Sequence, residues 1–131
     1  MINKIHAAIF MVALLSTVPR TVGAGYEEGE AANLAGNRDA AFSAFLQAAQ
    51  HGDTRAFGKL GAMYLYGLGT TRDYTKAYVW FSLAEKQGDR LAERYRMAAS
   101  SAMTRAQVER AHKLVEEKHK ELEIMQLPAI K

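Results

Sequence analysis

The sequence predicts an all-α fold, a short array of helical repeats in one domain, on three observations. Shifted along itself by 36 residues, the chain lays AFSAFLQAAQHGDTRA (41–56) over AYVWFSLAEKQGDRLA (77–92). Ala41 then meets Ala77, Phe42 Tyr78, Phe45 Phe81, Ala48 Ala84, Gly52 Gly88, Asp53 Asp89 and Ala56 Ala92, and a fixed period of this size marks stacked helical units. The matched positions step mostly by threes and fours, forming a helical face on which small residues admit a neighbouring helix and aromatics fill the gap. No run alternates with the period of two that a half-buried strand requires.

Residues 1–24 stand outside the array. Lys4 supplies a positive start, AAIFMVALLSTV (7–18) an apolar core and VGA (22–24) the small residues of a cleavage site, predicting a signal peptide cut between Ala24 and Gly25. The apolar core is shorter than the roughly 20 residues that span a bilayer. No cysteine occurs, which excludes a disulfide framework, a lipid-modified cysteine and thiolate metal sites. A bacterial periplasm or the surrounding medium suits such a chain. Loss of Lys4 and Arg20 with the leader leaves 15 basic against 14 acidic residues, a charge of +1 in place of the +3 of the whole chain.

The helices follow in order, the first over about 26–35. The second covers 38–50, with Ala41, Phe45 and Ala48 on one face. Gly52 closes it, reaching a left-handed conformation that only glycine adopts at little cost. Asp53 is positioned to cap the third helix, 54–66, which ends at the turn GLG (67–69). Asp73 caps the fourth, 74–87, whose face is Ala77, Tyr78, Phe81 and Ala84, and Gly88 closes it. Asp89 caps the fifth, 90–100. The sixth, 105–124, opens with the capping-box pair Thr104 and Gln107 and carries the stripe Val108, Ala111, Val115, Leu122 and Met125. Lys118 interrupts that stripe. Glu109 with Lys113 and Glu116 with Lys120 are the expected ion pairs of its outer face, and a tail, 125–131, follows.

Several function classes lose their footing here. Gly67 and Gly69 follow a helix rather than a strand, with no Lys-Ser or Lys-Thr pair and no third glycine in dinucleotide spacing, so the pair makes a turn and not a phosphate loop. The arginines 90, 94, 96, 105 and 110 are interrupted by Glu93 and Glu109, as on a solvated helix surface, and no nucleic-acid partner is implied. Ser43, Ser82, Ser100 and Ser101 lie in helical or helix-end segments without a nucleophile-elbow pattern. His51, before a closing glycine, is read as an interaction with its own helix end. The last helix carries Glu109, His112, Glu116, His119 and Glu123 at spacings of three and four. Two Glu-x-x-His units are what carboxylate-bridged metal sites use, so a metal-binding or hydrolytic envelope protein is the alternative reading, although no matching ligand pair appears elsewhere. Phe42, Phe45, Tyr64, Tyr78 and Phe81 fall on core positions, whereas Tyr26 and Tyr66 fall outside that register.

The run Ala56, Leu60, Gly61, Tyr64, Gly67, Gly69, Asp73, Lys76, Ala77, Trp80, Phe81, Ala84, Gly88 and Asp89 resembles the Sel-one-like repeats, relatives of the tetratricopeptide repeats. Thr70 stands where the family prefers valine, and Glu85 replaces an alanine. Residues 26–52 resemble the shortened first repeat of exported bacterial members, with AGNRDAA in place of the longer turn, and MTRAQVERAHKLVEE (103–117) resembles their closing helix. The resemblance divides residues 25–124 into a partial repeat (26–52), a full repeat (53–88) and closing helices (89–124). It implies a right-handed α–α superhelix of about six antiparallel helices, with the last as a cap. It also implies a non-enzymatic scaffold that holds a protein or peptide in its concave face, without cofactor and without stable membrane insertion once the leader is gone. The first helix of each hairpin lines that groove in relatives, which by position puts Tyr26, Glu30, Asn33, Arg55, Lys59, Tyr66 and Arg94 there.

Overall fold

A computed structural model describes residues 24–128. The expected leader, except Ala24, and the end of the tail lie outside the described residues. The six helices are α1 (Ala24–Leu34), α2 (Arg38–Gln50), α3 (Arg55–Tyr66), α4 (Tyr74–Lys86), α5 (Arg90–Ser101) and α6 (Arg105–Gln126). No strand occurs among the described residues. Each expected helix is present, within about two residues at its ends, the ordinary fraying of such boundaries.

Local chemistry sets the helix ends as the repeat pattern requires. After α2, the Gly52 N–H donates to Ala49 O (3.0 Å) and the Asp53 N–H to Ala48 O (3.0 Å); after α4, Gly88 bonds Glu85 O (2.9 Å) and Asp89 bonds Ala84 O (3.1 Å). These are matched Schellman closures. Asp73 caps α4 by accepting the Lys76 N–H at 2.9 Å, and Asp89 caps α5 by accepting that of Leu91 at 2.9 Å. Asp53 departs from its expected role. Thr54 holds the N-cap position of α3 without a side-chain bond, and Asp53 accepts the Arg55 N–H (3.2 Å) while also binding the Arg55 side chain. The Thr104–Gln107 capping box forms in both directions, at 2.7 and 3.2 Å.

α1 pairs with α2 and α3 with α4, and α2 meets α3 to stack the two hairpins. Both hairpins use one packing device. Gly29 in α1 lies under the ring of Phe45 in α2, and Gly61 in α3 under the ring of Phe81 in α4, so close that a Cβ would sit 2.6 and 2.8 Å from ring carbons. The turn between α3 and α4 reaches back to the first hairpin. At Gly69 (φ +68) a Cβ would overlap the Arg38 carbonyl oxygen and lie 2.6 Å from its carbon.

α4 is the central element, buried at every position from Ala77 to Ala84. Its Trp80 packs on Phe57 of α3 with ring centroids 5.6 Å apart. Burying each such large side chain contributes roughly 1.5–3 kcal/mol. α5 and α6 both pack on α4, so the last helix covers the second hairpin directly. α6 buries Ala111, Val115 and Leu122 and extends until Gln126 lies beside Gly52. It straps the second hairpin and leaves Leu91, Tyr95 and Met97 of α5 exposed. Met125, expected in the buried stripe, is exposed as well, and Lys118, expected to interrupt it, lies over the Trp80 ring at 5.7 Å.

Candidate functional site

Of the residues assigned to the groove, four meet in one network between α1 and α3. Arg55 grips Asp53 with two bonds (Nη2 to Oδ2, 2.7 Å; Nε to Oδ1, 3.0 Å) and Glu27 with a third (Nη1 to Oε1, 2.9 Å). Its guanidinium lies over the Tyr26 ring, 4.3 Å from the centroid. Lys59 pairs with Glu30 at 2.8 Å. Tyr26, expected outside the core register, is half-buried and packs against Phe45 at 5.5 Å. The network therefore pairs its own charges, fastening α1 to α3. Arg55 holds the Asp53 carboxyl below its usual range, chiefly through the side-chain hydrogen bond; partial burial opposes this, and the backbone bond and the charge add to it.

That network carries a pH prediction. A carboxylate with a lowered folded pKa stabilises fully above its unfolded value, about 3.9, and the contribution is lost as pH falls through the lower folded value. Acid melts of the wild type are expected to show this loss below about pH 4. Asp53→Asn is expected to melt a few degrees lower at neutral pH and to show a shallower acid dependence, checked by circular dichroism across pH.

Tyr66 and Arg94 meet elsewhere. With Leu91, Tyr95 and Ala98 they line a shallow cleft of about 280 Å³ between the end of α3 and the face of α5. Tyr66 is 54% exposed and Leu91 60%, while the Tyr95 ring is stacked on Phe81, 5.4 Å between centroids and 18° between planes. Asn33 stands apart, exposed near the end of α1. Leu91 and Tyr95 were not picked out by the sequence pattern, which presents α5 as an arginine cluster. The available signal was a leucine and a tyrosine four residues apart in an otherwise charged helix, beside Arg94.

The Glu/His row of α6 does not converge. Glu109 pairs with Arg105 (3.1 Å) and Glu116 with Lys86 of α4 (3.2 Å), in place of the expected Lys113 and Lys120. His112 meets the Tyr78 hydroxyl at 3.1 Å, and His119 lies 3.4 Å from Glu123. Among the described residues no group of three or more His, Asp or Glu side chains could hold a metal ion. Zinc or manganese at high micromolar concentration is expected to leave the melting temperature unchanged, since a ligand binding only the folded state would raise it. The serines serve their own helices: Ser82, Ser100 and Ser101 donate to Tyr78 O, Met97 O and Ala98 O. His51 Nδ1 lies 2.8 Å from Gln47 O, the helix-end contact expected of it. Glu85, which departs from the alanine of the resembled repeat, pairs with Arg96 at 2.8 Å and ties α4 to α5.

Antiparallel helix pairs of matched design, stacked and strapped by a long last helix, define an α-helical repeat protein. Residues 59–89 match the family model of the Sel1 repeat. An uncharacterized Sel1-like repeat-containing protein of Schizosaccharomyces pombe is 45% identical over 47 residues, which is 36% of this chain and 7% of that protein. The crystal structure of a protective antigen present in uropathogenic Escherichia coli strains, displaying an SLR fold, superimposes with a TM-score of 0.67 at 27% identity, over 84% of this chain and 27% of that one. The chain thus carries a Sel1 repeat at residues 59–89 within a helical-repeat superhelix of the SLR kind, and it spans only a small share of both proteins it resembles. Proteins built on this fold are typically non-enzymatic and generally mediate protein–protein contacts.

Proposed function

We propose that the chain is an exported, non-enzymatic scaffold that holds a protein or peptide on the row formed by α1, α3 and α5. One observation carries the reading: Tyr66, Leu91 and Tyr95 share an open cleft on that row, and aromatic side chains with few rotatable bonds are favoured at protein contacts. No helix among the described residues is long and apolar enough to cross a membrane. The leader read over residues 1–24 supports export to the periplasm or beyond. A surface this small suits micromolar affinity.

The test is affinity capture from the envelope fraction, with the chain beginning at Gly25 as bait. A partner retained by the wild type and lost on Tyr66→Ala with Leu91→Ala is expected, since both side chains are exposed and their removal leaves the fold intact. Equal capture by that variant would overturn the binding surface. Mass spectrometry of the protein from its own cell tests export; a chain that still begins at Met1 and stays in the cytoplasm would overturn that half.

A further inference from the structure

The two parts of the proposed binding row differ in the state of their cations. In the α1–α3 part, Arg55 and Lys59 are already neutralised by Asp53, Glu27 and Glu30 at 2.7–2.9 Å. An acidic ligand there would have to displace an internal carboxylate. In the α3–α5 part, Arg94 lines the cleft and Arg90 stands one helical turn before it, and neither has an ion-pair partner among the described residues. Glu93, the one acidic residue within α5, forms no ion pair with either. The cleft thus combines an unpaired guanidinium with apolar walls, and its Tyr95 ring is held in place from below by Phe81.

Resting on the protein-binding reading, we infer that this cleft recognises an acidic stretch of a partner polypeptide, in which a carboxylate lies beside an aliphatic or aromatic residue. The carboxylate docks on Arg94, whose planar fork suits bidentate pairing. The neighbouring apolar side chain lies between Tyr66 and Tyr95, over Leu91. Arg90 adds attraction that weakens with salt. The self-paired α1–α3 network flanks the site and holds the helices in place without contributing charge to the ligand.

The test is selection of a random peptide library on the purified chain at low salt, followed by fluorescence anisotropy of the winning peptides and of their lysine-for-acid counterparts. Enrichment of Asp or Glu next to Leu, Ile, Phe, Tyr or Trp is expected, with binding weakened about tenfold or more by Arg94→Glu and by exchange of the acids. Arg110→Glu, the same charge change in a separate hollow beside Thr75, Gln107 and Leu114, should leave binding unchanged. Arg94 is exposed and unpaired, so its variant should melt as the wild type does. Peptides that bind through Tyr66 without preference for acids, or equally well to Arg94→Glu, would overturn the inference while the binding reading stands. Failure to select any peptide that depends on Tyr66 or Arg94 would overturn both. A concentration-dependent dimer in sedimentation that Arg94→Glu dissolves would place a second copy of this chain in the cleft, and would also overturn the inference.

Discussion

Gly69→Ala is expected to cost about 3–5 kcal/mol, lowering the melting temperature by roughly 15 °C or more in a domain of this size. Two costs coincide at this position. The backbone is left-handed, at φ +68, where a Cβ brings strain of about 1–3 kcal/mol. The added carbon would also overlap the carbonyl of Arg38 at the start of α2, and a backbone group cannot swing aside as a side-chain tip can. Gly88→Ala separates the two, because Gly88 is equally left-handed (φ +92) but a Cβ there would meet nothing within 4 Å; it should cost only about 1–2 kcal/mol. Denaturant melts of the two variants check the difference. Equal losses would mean that the turn of the second hairpin does not bear on the first.

Phe81→Ala is expected to cost about 3–5 kcal/mol, through the cavity it leaves against α3 and through the loss of the ring beneath Tyr95. Its partner Gly61 should be sensitive in the opposite sense. Gly61→Ala overfills the same contact, at about 1–3 kcal/mol, since the new carbon would sit 2.8 Å from the Phe81 ring. The decisive measurement is the double-mutant cycle. In a Phe81→Leu background, Gly61→Ala should be milder by about 1 kcal/mol or more, as expected of touching residues and not of independent ones. Strict additivity would show that the glycine does not set the approach of the two helices. Loss of Phe81 should also weaken any ligand of the α5 cleft beyond the change in stability, because Tyr95 would no longer be fixed.

The sequence made the repeated features legible because they are local or recur with a fixed period. Phe45 and Phe81, Ala48 and Ala84, and the glycines closing α2 and α4 could be read from the 36-residue shift and helical spacing alone. What lay hidden depends on the relative phase of helices distant in the chain. The turn at Gly69 was readable, but not its contact with Arg38. The stripe Ala111, Val115 and Leu122 showed that α6 buries a face, without showing that α4 would receive it. Arg55 and Lys59 were assigned to the groove by position, yet their partners Glu27 and Glu30 lie on another hairpin, so only the fold shows that they are occupied. Arg94 was assigned to the groove by position, but the apolar residues Leu91 and Tyr95 that share its cleft were masked by the charges around them.

The course of α6 bears on how the molecule responds to load. A solenoid whose hairpins touch only their neighbours flexes like a spring, opening or tightening its curve as a ligand seats. Here one long helix runs along the middle helix to the junction of the two hairpins, so bending there would shear it across the Lys118–Trp80 contact. Ligands should therefore meet a surface of fixed curvature, and hydrogen-exchange rates in α3 and α4 should hardly change on binding.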